Sequence, residues 1–198
     1  MNQPPKAPAP AAPSLRDPVQ VRFSGSGGQG LITAGVILAE AAMLEGLNVV
    51  QTQTYGPEAR LGSSKSEVII SKGTIAYPEV TSPDILVAMS LEAARKLAPK
   101  VRPGTLVILD STSVPGDVET PGRLVRLPIT ATAAAAGGKV TANIVALAAM
   151  NALAPVVSAE SLRTAIAARV PARFRDLNRK AAEMGEALGA QAAALTPA

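Results

Sequence analysis

The sequence predicts an α/β domain built on a mostly parallel sheet flanked by helices, and three observations predict it. A strand, a glycine-rich turn, an apolar helix and a second strand follow one another near the start of the chain, the order and spacing of a β-α-β unit of roughly 30 residues. Two uninterrupted apolar runs, Asp84 to Met89 and Thr105 to Asp110, have the character of strands covered on both faces. The final third is helical, from about residue 139. With 198 residues, 47% of them apolar, the chain can bury one real core. The expected organisation is a disordered Pro/Ala-rich tail over 1–18 and a single Rossmann-like domain over 19–198.

The elements follow in order. Pro4, Pro5, Pro8, Pro10 and Pro13 prevent a helix in the tail. Val19, Val21 and Phe23 alternate with Gln20 and Arg22 as a first strand, which ends in Ser24-Gly25-Ser26-Gly27-Gly28-Gln29-Gly30. Leu31 to Leu44 is apolar nearly all round and reads as a buried helix that closes near Gly46. Asn48 to Thr54 is a second strand, so a right-handed crossover and a parallel sheet are expected. The stretch Tyr55 to Ser64 has the breakers Gly56, Pro57 and Gly62 beside Glu58 and Arg60, the make-up of a functional loop.

Beyond that loop, Ser66 to Ser71 is a strand, and Ser90 caps a short helix that stops before Pro99. Pro103-Gly104 turns into the run ending at Asp110, and Leu124 to Leu127 is the last strand. Lys139 to Leu153 is an Ala-rich buried helix entered through Gly137-Gly138, and Ser158 caps the next. After Pro171, Phe174, Leu177, Ala181, Met184 and Leu188 recur at spacings of three and four, a narrow stripe expected to pack on the domain's own body. The cluster Arg163, Arg169, Arg173, Arg175, Arg179 and Lys180 reads as a solvated basic face.

Composition excludes several functions. With no cysteine, this chain supplies no disulfide, iron–sulfur ligand, thiolate zinc site or cysteine nucleophile. With no histidine, it lacks the usual general base near neutral pH. Aromatics at 2% leave little for stacking on single-stranded nucleic acid, and the net charge of +4 is scattered. No apolar run approaches the roughly 20 residues of a membrane span. The expectation is a cytoplasmic protein without nucleic-acid or membrane partners.

Gly25, Gly27 and Gly30 satisfy Gly-x-Gly-x-x-Gly between a strand and a helix, and a helix start of this kind favours an anion, most naturally a phosphate. A turn that only packs helix against sheet is the alternative. The nicotinamide reading lacks its ribose carboxylate, because the second strand runs Val49-Val50-Gln51-Thr52-Gln53-Thr54. A Walker loop fails because Leu31-Ile32-Thr33 follows Gly30. The residues alone therefore describe a glycine-rich anion or partner site without a self-sufficient catalytic constellation.

Gly25-Ser26-Gly27-Gly28-Gln29-Gly30, then Thr33-Ala34-Gly35, Leu38-Ala39, Tyr55-Gly56-Pro57-Glu58-Ala59-Arg60, Val68-Ile69-Ile70-Ser71, Pro83-Asp84 and Asp110-Ser111, resembles the gamma subunit of 2-oxoacid:ferredoxin oxidoreductases. The similarity runs from about Val21 to Leu153. The family commonly has Arg-Gly-Gly where this chain has Arg60-Leu61-Gly62, and leucine adopts positive φ only at a cost.

The resemblance implies oxidative decarboxylation of a 2-oxoacid to an acyl-CoA and CO2, with electrons passed to ferredoxin or another acceptor. It places thiamine diphosphate with Mg2+ on alpha and beta subunits and iron–sulfur clusters on beta, delta or electron-transfer subunits, with no cofactor held by this chain alone. Its site residues carry over as Gly25, Gly27, Gly28, Gln29, Gly30, Tyr55, Glu58 and Arg60, with Asn143 adding an amide, as one wall of a coenzyme A or substrate site. The isolated chain is then inactive. A purely structural assembly subunit is the alternative, and a free-standing nucleotide-binding reductase a more distant one.

Overall fold

The computed structural model describes residues 15–55 and 63–195. Strands β1 (Val19–Ser26), β2 (Asn48–Tyr55), β3 (Ser63–Ser71), β4 (Ile85–Ala88), β5 (Leu106–Asp110) and β6 (Arg123–Leu127) form one sheet in the order β2-β3-β1-β4-β5-β6. Helices are α1 (Leu31–Leu44), α2 (Leu91–Leu97), α3 (Ile129–Ala136), α4 (Ala142–Leu153), α5 (Ala159–Arg169) and α6 (Arg175–Leu195). Strands β1, β4, β5 and β6 are mutually parallel, so the expected mostly parallel α/β sheet is present.

One feature of the expected β-α-β unit is corrected. β1 and β2 run in the same direction but are not neighbours, because β3 lies between them and is antiparallel to both. Alternating side chains are equally compatible with either strand direction.

The two apolar runs are covered on both faces as expected. In β4, Ile85 and Val87 join a core with α1 and α4, while Leu86 and Ala88 face a smaller core with Ala93 and Ala94 of α2 and with Val114 and Val118. Each fully buried large side chain, such as Phe23, Ile37 or Ile108, contributes about 1.5–3 kcal/mol. Nearer the other edge, the face opposite α1 is polar. Glu67, 8% exposed, accepts from Arg22 at 2.6 Å and pairs with Lys65 at 2.9 Å, so its buried charge is compensated twice.

Ser90 and Ser158 cap α2 and α5 as expected, accepting from the N–H groups of Ala93 and Ser161. The helix expected from Lys139 opens as a 3-10 turn over Lys139–Thr141 before α4 begins. Helix α3 was not anticipated. Pro128 precedes it without a side-chain cap, and the carboxylate of Asp110, twenty residues away in sequence, accepts from the Thr130 N–H at 3.1 Å. A cap so distant leaves no local signature.

The stripe on α6 packs on the domain itself, chiefly against α4, but its buried centre is Asn178, Ala181, Ala182, Gly185 and Gly189. Met184 and Leu188 flank that line and Phe174 is 41% exposed. A Cβ on Gly185 would stand 2.6 Å from the Val145 carbonyl oxygen, so the two helices touch backbone to backbone and run in the same direction. Most of the expected tail, 1–14, lies outside the described residues. Leu15 packs on the core, and Arg16 pairs with Asp84 at 2.9 Å.

Candidate functional site

The parallel strands end at one side of the sheet, where the glycine turn joins β1 to α1. Gly25 pairs with Ser64 of β3, and Ser64 pairs with Tyr55 of β2. The turn and the base of the Tyr55 loop are thus two strand spacings apart, roughly 10 Å. The fold brings the glycine turn near the two strand ends that flank the second stretch singled out in the sequence. Glu58 and Arg60 lie outside the described residues, so their placement carries no geometry.

Within the turn, Gln29 is a strut. Its Oε1 accepts from the Ser26 N–H at 2.8 Å and its Nε2 donates to the Met89 carbonyl at 2.9 Å, tying the turn to the end of β4. A side chain on Gly25 would strike that same Oε1 and come within 2.9 Å of Leu31 Cδ1. Gly30, at φ 71° ψ 18°, is the N-cap of α1 and offers no side-chain cap. Its carbonyl accepts from Ala34 N–H and from Asn143 Nδ2, each at 3.1 Å. A Cβ there would lie 2.8 Å from Asn143 Nδ2, so Asn143 of α4 holds the turn from behind.

What remains open is the tip. Gly27 and Gly28 are exposed, and their amides have no protein partner among the described residues. Gly28, at φ 84°, has nothing within 4 Å of where a side chain would project. The first-turn amides of α1 add unpaired donors at the positive end of a helix. Chemically, the turn can bind an anion through its backbone. It contains no titratable side chain and can neither donate nor remove a proton.

Three further features surround this end. Asp110, fully buried at the end of β5, accepts from the hydroxyls of Ser113 and Thr130, both at 2.6 Å, and from the N–H groups of Thr112 and Thr130. Its lone pairs are filled, which makes it a bracket between β5 and α3. A groove of about 210 Å3 opens between Thr33, Asn143, Val140, Phe174 and Leu177. A roomier groove of about 530 Å3 lies between α5 and α6 and includes none of the expected site residues.

Three of the six cations in the basic cluster are neutralised within the domain. Arg163 pairs with Glu186, Arg169 with Glu40, and Arg179 with Glu183. The hydrogen bond to Glu186 and its negative charge raise the Arg163 pKa above its ordinary value. Among the described residues no group of three or more Asp or Glu gathers to hold a metal ion, and no helix is long and apolar enough to cross a membrane.

Sequence reasoning named Gln29 and Asn143 as site residues but not their role, which is to hold the turn's shape. The signal for Gln29 was a long amide flanked by glycines, too small to fill the space themselves. Nothing in the sequence pointed to Val140, whose exposure is visible only once α4 is placed.

Fold and site together define an α/β domain whose glycine turn offers backbone donors. Residues 20–188 match the pyruvate ferredoxin/flavodoxin oxidoreductase family, and the chain belongs to it. It is 43% identical over 163 residues to the 2-oxoglutarate synthase subunit KorC of Methanocaldococcus jannaschii, which spans 80% of this chain and 87% of that one. The fold matches the keto/oxoacid ferredoxin oxidoreductase gamma subunit from Geobacter sulfurreducens with a TM-score of 0.81 and 44% identity, over 89% of this chain and 99% of that chain. It also matches the 2-oxoglutarate:ferredoxin oxidoreductase from Magnetococcus marinus, with a TM-score of 0.82 and 25% identity. There 92% of this chain corresponds to only 32% of a longer chain. The gamma-subunit resemblance read from the two loops is borne out.

Proposed function

We propose that this chain serves as the gamma subunit of a cytoplasmic, thiamine-diphosphate-dependent 2-oxoacid:ferredoxin oxidoreductase, and that its glycine turn and Tyr55 loop form one wall of the coenzyme A or 2-oxoacid site. The observation that carries this reading is the register Gly25–Ser64–Tyr55, which sets the glycine turn beside the strand ends from which the Tyr55 loop departs. The exposed amides of Gly27 and Gly28 fit a phosphate or carboxylate oxygen. Coenzyme A, when bound, supplies the thiol that receives the acyl group; this chain's residues bind and orient. Thiamine diphosphate, Mg2+ and the iron–sulfur clusters belong to alpha, beta and iron–sulfur partner subunits under this reading, in keeping with a chain that has no cysteine to ligate a cluster. The names of the relatives make 2-oxoglutarate the first substrate to assay.

Arg60→Ala in the assembled enzyme is expected to raise the KM for coenzyme A or the 2-oxoacid about ten-fold, the loss of one charge-assisted contact. Unchanged KM for both removes the ligand-binding part. A second reading, an assembly subunit only, draws on the commitment of Gln29 and Asn143 to protein partners. Under it, Arg60→Ala weakens the complex on size exclusion and leaves both KM values alone.

A further inference from the structure

The end of the α4–α6 pair beside the glycine turn carries an apolar shelf. Val140 is 80% and Phe174 41% exposed, and with Leu177 they flank the groove of about 210 Å3 that Thr33 and Asn143 bound on the turn side. Single exposed apolar residues are ordinary, but here they adjoin a concave surface.

Two cations border the shelf. Lys139 and Arg173, next in sequence to Val140 and Phe174, are exposed and have no carboxylate partner among the described residues, while Arg169, which also lines the groove, pairs with Glu40. Arg173 lies over the Phe174 ring, 4.7 Å from its centroid, so the cation and the apolar face form one surface. The nearby carboxylate of Asp176 faces Arg179 at 3.7 Å. The result is an apolar floor with a positive rim, complementary to an apolar projection bordered by Asp or Glu. A second copy of this chain does not meet that description, since a two-fold contact through the shelf would bring two cations from each copy together.

We propose that this shelf is the docking surface for the thiamine-binding subunits of the same oxidoreductase complex, which would present an apolar projection flanked by carboxylates. The proposal rests on the gamma-subunit reading. Because the groove shares Thr33 and Asn143 with the support of the glycine turn, a subunit docked here stands next to the turn.

The test uses the complex co-expressed with an affinity tag on the thiamine-binding pair. Two variants of this chain are compared with wild type, Val140→Ser with Phe174→Ser, and Lys139→Glu with Arg173→Glu. Circular dichroism melts of the isolated variants establish that each is folded. Retention on the tagged pair is expected to fall at least ten-fold for both, with wild-type retention weakening as salt rises. Wild-type retention together with retention of both variants within two-fold of it overturns the proposal alone. Failure of the pair to retain wild type overturns the gamma-subunit reading and the proposal with it. A wild-type homodimer that the shelf variants convert to monomer assigns the surface to a second copy and also overturns it.

Discussion

The two ends of the α4–α6 pair are built for different purposes. Along the body of the pair, Gly185 and Gly189 bring α6 onto the carbonyl oxygens of Val145 and Ala149, and no side chain intervenes. Where the pair begins, the turns that lead into the two helices leave a groove open around Val140, Phe174 and Leu177. The closed end serves stability. The open end sits beside the glycine turn and leaves apolar surface uncovered. Substitutions at the two ends should therefore separate cleanly, with melting temperature responding at one and assembly or kinetics at the other.

The largest effect is expected at the closed end. In an unconstrained helix, glycine to alanine gains about 1 kcal/mol from propensity alone. Gly189→Ala should go the other way, because its Cβ would strike the Ala149 carbonyl and lie 2.8 Å from the Ala152 Cβ. Overpacking against backbone costs about 1–3 kcal/mol. At roughly 2–4 °C per kcal/mol for a domain of this size, the melting temperature should fall by several degrees. A rise in melting temperature would show that the helices do not touch as described.

At the open end, Gln29→Met tests whether the turn's shape matters to what it faces. It keeps the size of the side chain but removes the bonds to Ser26 and Met89, at a cost of about 1–3 kcal/mol, local to the turn. In the assembled enzyme the KM for coenzyme A should rise several-fold with kcat within about two-fold, the pattern of lost positioning. An equal loss in kcat with KM unchanged would place the turn's role outside ligand binding.

The same contrast explains what could be read before the fold was seen. β4 and β5 were legible because a strand buried on both faces must be apolar throughout. The two loops were legible because their spelling is unusual. The insertion of β3 between β1 and β2 was not, since no local pattern specifies it. Helix α3 was missed because its cap is the distant Asp110. The contact face of α6 was misplaced because Gly185 and Gly189 register as gaps in a hydrophobic stripe, although they mark the tightest part of the interface.

The smallest expected effect lies at the opposite end of α1 from the glycine turn. Glu45 ends that helix, and its Oε1 accepts from the Ser158 N–H at 2.6 Å, at the start of α5. Slight burial pushes its pKa up, but hydrogen bonds from the Ser158 backbone and from the hydroxyls of Ser158 and Ser161 outweigh it, so the net shift is downward from the ordinary 4.5. The folded state then holds the proton less readily than the unfolded chain, and unfolding takes up protons at low pH. The stability from this contact is present above the ordinary glutamate range and is lost as pH falls through the depressed folded value. Because the group is mostly solvated, the amount should be below about 1 kcal/mol. Glu45→Gln should melt slightly below wild type near pH 7, and the gap should close in acid. A gap of equal size at both ends of the titration would mean that the Glu45 charge contributes nothing to joining α1 to α5.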